Sequence, residues 1–126
     1  MSKVLVVEDN LSQREMISAL LCQEGLEVIS VRGGQEALDQ MSSHMPDVVV
    51  LDIIMPKMNG YEVCRRLREN PATARMPIVL CSSKGEDFDV HWGIKQGADA
   101  YISKPFVAQE LIRTVKGLLK NSAQRS

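Results

Sequence analysis

Val48-Val49-Val50-Leu51-Asp52 carries the reading of the fold. Four aliphatic residues stand in a row, with none of the polar alternation of a strand that has one face in water. A short, wholly apolar run of this kind is expected of a strand covered on both faces, as in a parallel sheet. It ends on a carboxylate, Asp52.

Four more β-branched or apolar runs lie outward from it: Val4–Val7, Val28–Val31, Ile78–Leu80 and Ala100–Ile102. The segments between them have helical periodicity. Met16, Ile17, Leu20 and Leu21 precede a stop at Gly25. Ala37, Leu38 and Met41 mark a second helix. A third starts at Asn59-Gly60, carries Val63, Cys64 and Leu67, and ends before Pro71. A fourth carries Phe88, Val90 and Ile94 less regularly and stops at Gly97. The fifth has the stripe Leu111, Ile112, Val115, Leu118 and Leu119, with Lys116 and Lys120 near its end suiting the helix dipole. Alternating strands and crossover helices imply parallel strands and right-handed connections. The expected fold class is α/β, an open doubly wound five-stranded parallel sheet, (βα)5, with the flavodoxin-like order 2-1-3-4-5.

The chain has 126 residues, room for one domain. It carries 15 basic and 16 acidic residues, a net charge of −1, which argues against nonspecific binding to nucleic acid or anionic membrane. No apolar run approaches the ~18 residues of a membrane span, and the N-terminus lacks a signal-peptide shape. Cys22, Cys64 and Cys81 form no CxxC and leave one thiol over in any disulfide scheme. They read as free thiols packed as small apolar residues, in a reducing cytoplasm. His44 and His91 read as solvated surface residues on helices.

Ligands of open α/β sheets sit beyond the carboxyl ends of the strands. Glu8-Asp9 follow strand 1, Asp52 follows strand 3, Ser82-Ser83 follow strand 4, and Ser103-Lys104-Pro105 follow strand 5. Three carboxylates held together repel unless a cation or proton intervenes. Hard oxygen ligands suit Mg2+, a carboxylate can form an aspartyl phosphate, and phosphoryl transfer needs charge neutralisation more than covalent help. Lys104 and Ser82 complete that set. Singly, each residue has a bland reading as a helix cap, a loop acid or a solvated lysine. Together, at four strand ends, they point to one reaction.

These residues resemble the receiver domain of bacterial response regulators, the CheY-like family. The matching stretches are Val4-Leu5-Val6-Val7-Glu8-Asp9, Leu51-Asp52-Ile53-Ile54-Met55-Pro56 with Asn59-Gly60, Ser82-Ser83, Gly97-Ala98 and Lys104-Pro105-Phe106, from Lys3 to about Lys120. The resemblance implies a receiver domain over residues 1–121 and a short polar tail, 122–126. It implies Mg2+ on Asp9, Asp52 and the backbone carbonyl of Ile54, with Glu8 acting through a water. It implies Asp52 as acceptor, Ser82 as switch hydroxyl, Lys104 as the phosphate-binding cation, Tyr101 as the aromatic that follows the switch, and a cis peptide before Pro105. The expected function is that of a single-domain response regulator, phosphorylated by a sensor histidine kinase, with no enzymatic activity beyond its own phosphorylation and dephosphorylation. Its partner would be a downstream protein on the face of helix 4, strand 5 and helix 5, with no DNA binding and no membrane insertion. Ser83-Lys84, His91-Trp92-Gly93 and Gln96-Gly97-Ala98 look similar to regulators of type IV pilus twitching motility and phototaxis. A phosphorelay intermediate and a phosphorylation-independent interaction module are the alternatives.

Competing phosphate sites fail on the sequence. A flavodoxin needs a Ser/Thr/Gly-rich loop after strand 1, where this chain is acidic. A dinucleotide fold needs GxGxxG there. A phosphatase of the haloacid dehalogenase type needs a second aspartate two residues past the first, where this chain has Ile54. Trp92 reads equally as a partner anchor or as packing, and Met55 and Met58 as loop packing. Ile54 and Lys84 flank the expected phosphoryl group, and Ile54 offers a hydrolytic water no side-chain hydrogen bond.

Overall fold

A computed structural model describes residues 1–125, with side chains described through residue 121. Strands β1 (Lys3–Val7), β2 (Glu27–Val31), β3 (Val48–Leu51), β4 (Ile78–Ser82) and β5 (Ala100–Ser103) alternate with helices α1 (Leu11–Gln23), α2 (Gly34–Ser43), α3 (Gly60–Glu69), α4 (Asp87–Lys95) and α5 (Ala108–Arg125). All pairings are parallel, in the order β2-β1-β3-β4-β5. α5 takes in most of the segment expected as a polar tail; Ser126 and the side chains of residues 122–126 lie outside the described residues.

Strand alternation sorts the core into two layers. Leu5, Val7, Val49, Leu51, Ile78 and Leu80 pack with Ala37, Met41, Val63, Cys64 and Leu67 of α2 and α3. Val4, Val6, Val48, Val50, Val79, Cys81 and Ile102 pack with Ile17, Leu21, Leu111 and Val115 of α1 and α5. Successive side chains on a strand point to opposite faces, so a run without polar positions feeds both layers. Burial of each such side chain stabilises the fold by about 1.5–3 kcal/mol.

Local chemistry places the helices. Asn10 and Asn59 cap α1 and α3, each side-chain oxygen accepting from a first-turn N–H, at 2.9 and 3.0 Å. α4 starts in a capping box between Glu86 and Asp89. Its apolar residues depart from expectation. Phe88, Trp92 and Ile94 are 72%, 40% and 46% exposed, and the residue α4 buries is Gly93. A Cβ at Gly93 would meet Leu80 Cδ1 at 2.9 Å and the Tyr101 ring at 3.0 Å, so a bare glycine is what lets the helix lie on β5.

Arg68, on α3, ties together the edge of the sheet opposite the Asp52 end. Its Nε and Nη2 donate to the Gly97 carbonyl at 2.9 and 2.7 Å, and its Nη1 to those of Met76 and Ala74 at 2.6 and 3.2 Å. It also pairs with Asp99 at 3.0 Å, and Asp99 accepts from the Ile78 N–H at 2.8 Å. Gly97 has φ +115°, a conformation that side-chain-bearing residues rarely adopt.

The thiols divide. Cys64 and Cys81 are buried as expected, whereas Cys22, near the end of α1, is exposed, because the buried stripe of that helix runs through Ile17 and Leu21. Burial pushes both inner thiols up to about 12. A thiol reagent at pH 8 should modify one cysteine rapidly and the other two only on unfolding. Cys22→Ser should remove the fast phase; a fast phase that persists in that variant contradicts the assignment.

Candidate phosphoacceptor site

The ends of β1, β3 and β5 converge on a cleft of about 550 Å³ lined by Glu8, Asp9, Asn10, Gln13, Asp52, Ile54, Ser83, Lys104 and Pro105. Glu8 and Asp52 are buried and Asp9 is exposed. One carboxylate oxygen from each lies within 4.8 Å of the others. The backbone holds them there. The Asp52 N–H donates to the Val7 carbonyl at 3.0 Å, and the Glu8 N–H to that of Val31 at 3.1 Å, continuing the sheet's own ladder. Arg14 Nη1 donates to the carbonyls of Glu8 and Asp9 at 2.9 and 3.5 Å. The Asn10 N–H donates to Glu8 Oε2 at 3.2 Å.

Lys104 reaches in from β5. Its Nζ lies 2.5 Å from Glu8 Oε1 and 3.9 Å from Asp52 Oδ1, so its tightest partner is Glu8 and not the expected acceptor. Lys104-Pro105 is a cis peptide, as the resemblance implied. The Asp52 carboxylate accepts from the Ile53 N–H at 2.9 Å. Burial first, then the neighbouring Glu8 charge, raises its pKa to about 6; Lys104 and the backbone N–H groups of Ile53 and Ile54 pull the other way. Asp52 is therefore largely ionised at neutral pH, but its charge is held at a cost.

Ser82 is fully buried at the end of β4, where its carbonyl accepts from the Lys104 N–H at 2.9 Å and its Oγ from the Lys84 N–H at 3.4 Å. The adjoining Ser83 forms the cleft wall. Tyr101 is half-buried and its hydroxyl donates to the Lys84 carbonyl, joining β5 to the loop that follows Ser82. Ile54 is 51% exposed and lines the cleft. His44 and His91 are exposed and away from it. Ser83 stands where the strand-end reading put it, while Gln13 and Arg14 belong to the site without having been anticipated. Their sequence context carries no signal, though Asn10 before a helical stripe is a readable N-cap.

A trio of hard oxygen donors, two of them on buried carboxylates, with an ammonium against Glu8 and 3.9 Å from Asp52, suits a small divalent cation and a phosphoryl group. Residues 4–116 match the family model described as the response regulator receiver domain, and the chain belongs to that family. It is 38% identical over 120 residues to the phosphate regulon transcriptional regulatory protein PhoB of Rhizobium meliloti, covering 95% of this chain and 53% of that one. The chain thus spans about half the length of the curated relatives it matches. Among solved structures, the Francisella response regulator 1452 receiver domain superposes with a TM-score of 0.91 at 30% identity, covering 97% of this chain and 99% of that one. The chemotaxis response regulator CheY4 of Vibrio cholerae gives 0.87 at 31% identity, with 94% and 98% covered. Receiver domains act in two-component signalling with sensor histidine kinases and bind Mg2+ at an acidic pocket of this kind. No helix among the described residues is long and apolar enough to cross a membrane.

Proposed function

We propose that Asp52 accepts a phosphoryl group from a sensor kinase phosphohistidine and that the phosphorylated domain changes its affinity for a partner protein. The observation that carries this reading is the placement of Asp52, a buried carboxylate within 4.8 Å of oxygens of the acids Glu8 and Asp9 and 3.9 Å from the ammonium of Lys104. An Asp52 oxygen attacks phosphorus, the new P–O bond replaces the P–N bond, and the histidine leaves with the bonding electron pair. Asp9, Asp52 and the Ile54 carbonyl would hold Mg2+, with Glu8 reaching it through a water. When bound, the ion neutralises the carboxylates and the phosphoryl oxygens. Lys104 is the cation of this chain for the same oxygens. Its present contact with Glu8 then exchanges for one with the phosphoryl group.

Ser82 and Tyr101 form the switch. Tyr101 bonds the carbonyl of Lys84, two residues past Ser82, so movement of that loop reaches β5 directly. The readout surface is the α4-β5-α5 face, where Phe88 and Trp92 stand exposed. Control of motility is the output we favour, by likeness to a chemotaxis regulator. No catalysis beyond the domain's own phosphorylation and dephosphorylation is proposed, and the setting is cytoplasmic, where sensor kinases present phosphohistidine. A pull-down comparing the beryllofluoride-loaded and free protein tests the partner claim. Capture of a motor or flagellar component only in the loaded state supports motility. Return of phosphate to a histidine phosphotransfer domain supports a relay role, and equal capture in both states supports an interaction module.

Ile54 sets the lifetime. It presents an apolar side chain on the cleft wall, where a hydrolytic water would need orienting. Self-dephosphorylation should therefore be slow, and Ile54→Asn should accelerate it up to about tenfold, the worth of one added hydrogen bond to the water. Decay of the phosphorylated form measures this; an unchanged rate in the variant counts against the role given to Ile54.

A further inference from the structure

Gly93 is the residue that α4 buries, and its backbone is ordinary helix; the glycines with positive φ are Gly25 and Gly97. Glycine is a poor helix former, so the position needs space and not backbone freedom. A Cβ there would meet two neighbouring atoms of the Tyr101 ring, Cδ2 at 3.0 Å and Cε2 at 3.1 Å. The third close atom, Leu80 Cδ1 at 2.9 Å, is the far end of a flexible side chain. One edge of the Tyr101 ring therefore rests directly on the bare Cα.

That floor is fixed. The Gly93 carbonyl accepts from the N–H groups of Gln96 and Ala98 at 3.1 and 3.2 Å, and Arg68 grips the carbonyl of Gly97 between them. The tip of the ring is held by its hydroxyl, which donates to the Lys84 carbonyl in the loop after Ser82. Leu80, two residues before Ser82, is the partner of Tyr101 across the sheet, so the ring stands beside the strand that carries the switch hydroxyl. A strand side chain has two common χ1 positions, and the one occupied here is open because residue 93 has no side chain. We propose that Gly93 is a positioning residue for the switch: it seats the Tyr101 ring against α4, and loading of Asp52 draws the ring off that seat. This rests on the reading of Asp52 as acceptor and Tyr101 as the follower of Ser82. It makes the side chain at position 93 a control on how readily the site is loaded, because a ligand and a ring position that favour each other do so reciprocally.

The test is calorimetric titration of the full chain with beryllofluoride in Mg2+, a stand-in for the phosphoryl group. Gly93→Ala closes the seat and should tighten binding about fivefold, at the lower end of coupling between sites. In a Tyr101→Ala background, where no ring needs the seat, the same substitution should leave affinity unchanged. Equal or weaker binding by Gly93→Ala overturns the proposal. So does an equal gain in both backgrounds, which would mean that the helix responds and not the ring. A second measurement needs no variant and stands even if Gly93→Ala does not fold. Proton NMR of the native protein should show Tyr101 ring contacts to the Gly93 Hα protons in the free state and lose them on loading; contacts that persist in the loaded state overturn the seat. Asp52→Asn separates the two levels. If it binds beryllofluoride as the native protein does, the acceptor reading falls and this proposal with it; if it does not bind and only the Gly93 comparisons fail, the role of Gly93 alone falls.

Discussion

Asp52→Asn should lose all measurable phosphoryl uptake from acetyl phosphate or a kinase and, at the same time, become more stable. The first effect follows from chemistry, since an amide offers no anionic oxygen to phosphorus. Stable, Mg2+-dependent labelling of the variant would overturn the acceptor assignment. The second follows from electrostatics. The pKa of Asp52 is raised from 3.8 to about 6, with burial the main cause. A carboxyl raised on folding binds its proton more tightly in the native state, so stability falls as pH rises from about 4 to 6 and is level above that. Each unit is worth about 1.4 kcal/mol, so ionised Asp52 destabilises the fold at pH 7 by about 3 kcal/mol. Asparagine removes that penalty. The two proteins should converge in stability below about pH 4 and differ fully at pH 7. Denaturant unfolding at the two pH values measures it, and an equal difference at both would contradict the origin proposed.

Gly60→Ala should damage the fold and the site together. Gly60 opens α3 and its N–H donates to the Ile53 carbonyl at 2.9 Å. A methyl group there would lie 2.9 Å from Ile53 Cα and closer still to the Asp52 carbonyl oxygen. Both are backbone atoms and neither can rotate aside. Either α3 lifts from the sheet or the end of β3 moves. A loss of about 3 kcal/mol is expected, at the upper end for overpacking. In a domain of this size that lowers the unfolding midpoint by about 10 °C. The phosphorylation rate of the folded fraction should drop as well, because Asp52 moves with its carbonyl. A variant of native stability and native rate would show that the close approach is not required.

The sequence made the sheet legible because its signal was strong and local. Val48–Leu51 is apolar throughout because two layers cover it, and the order of elements follows from the crossovers. The strand-end residues were legible for the same reason, since a strand's last residue reports where its side chain emerges. What escaped depends on absence or on the backbone. Phe88, Val90 and Ile94 read as an irregular helical pattern, and α4 seats itself through Gly93, which has no side chain to announce the contact. Cys22 read as packed, but its helix turns it outward. The pairing of Lys104 with Glu8 before Asp52 turns on about an ångström, which spacing along a chain does not encode. The partners of Arg68 are mostly carbonyl oxygens, which every residue has.

That arginine gives α4 unequal ends. Beyond the C-terminus of the helix, Gly97 is gripped through its carbonyl, and Ala98 is fastened by its own N–H to Gly93. At the other end the capping box of Glu86 and Asp89 is internal to the helix, and the Tyr101 hydroxyl donates to the carbonyl of Lys84, ahead of the helix. A rod fixed at one end and lightly held at the other does not slide; it swings about a fulcrum. Were the loop beside Ser82 to shift, displacement should grow with distance from Gly97 and be large at Phe88, the most exposed aromatic of the helix. Amide exchange should follow the same gradient, fast at residues 87–90 and slow at 95–98, and Arg68→Ala should flatten it.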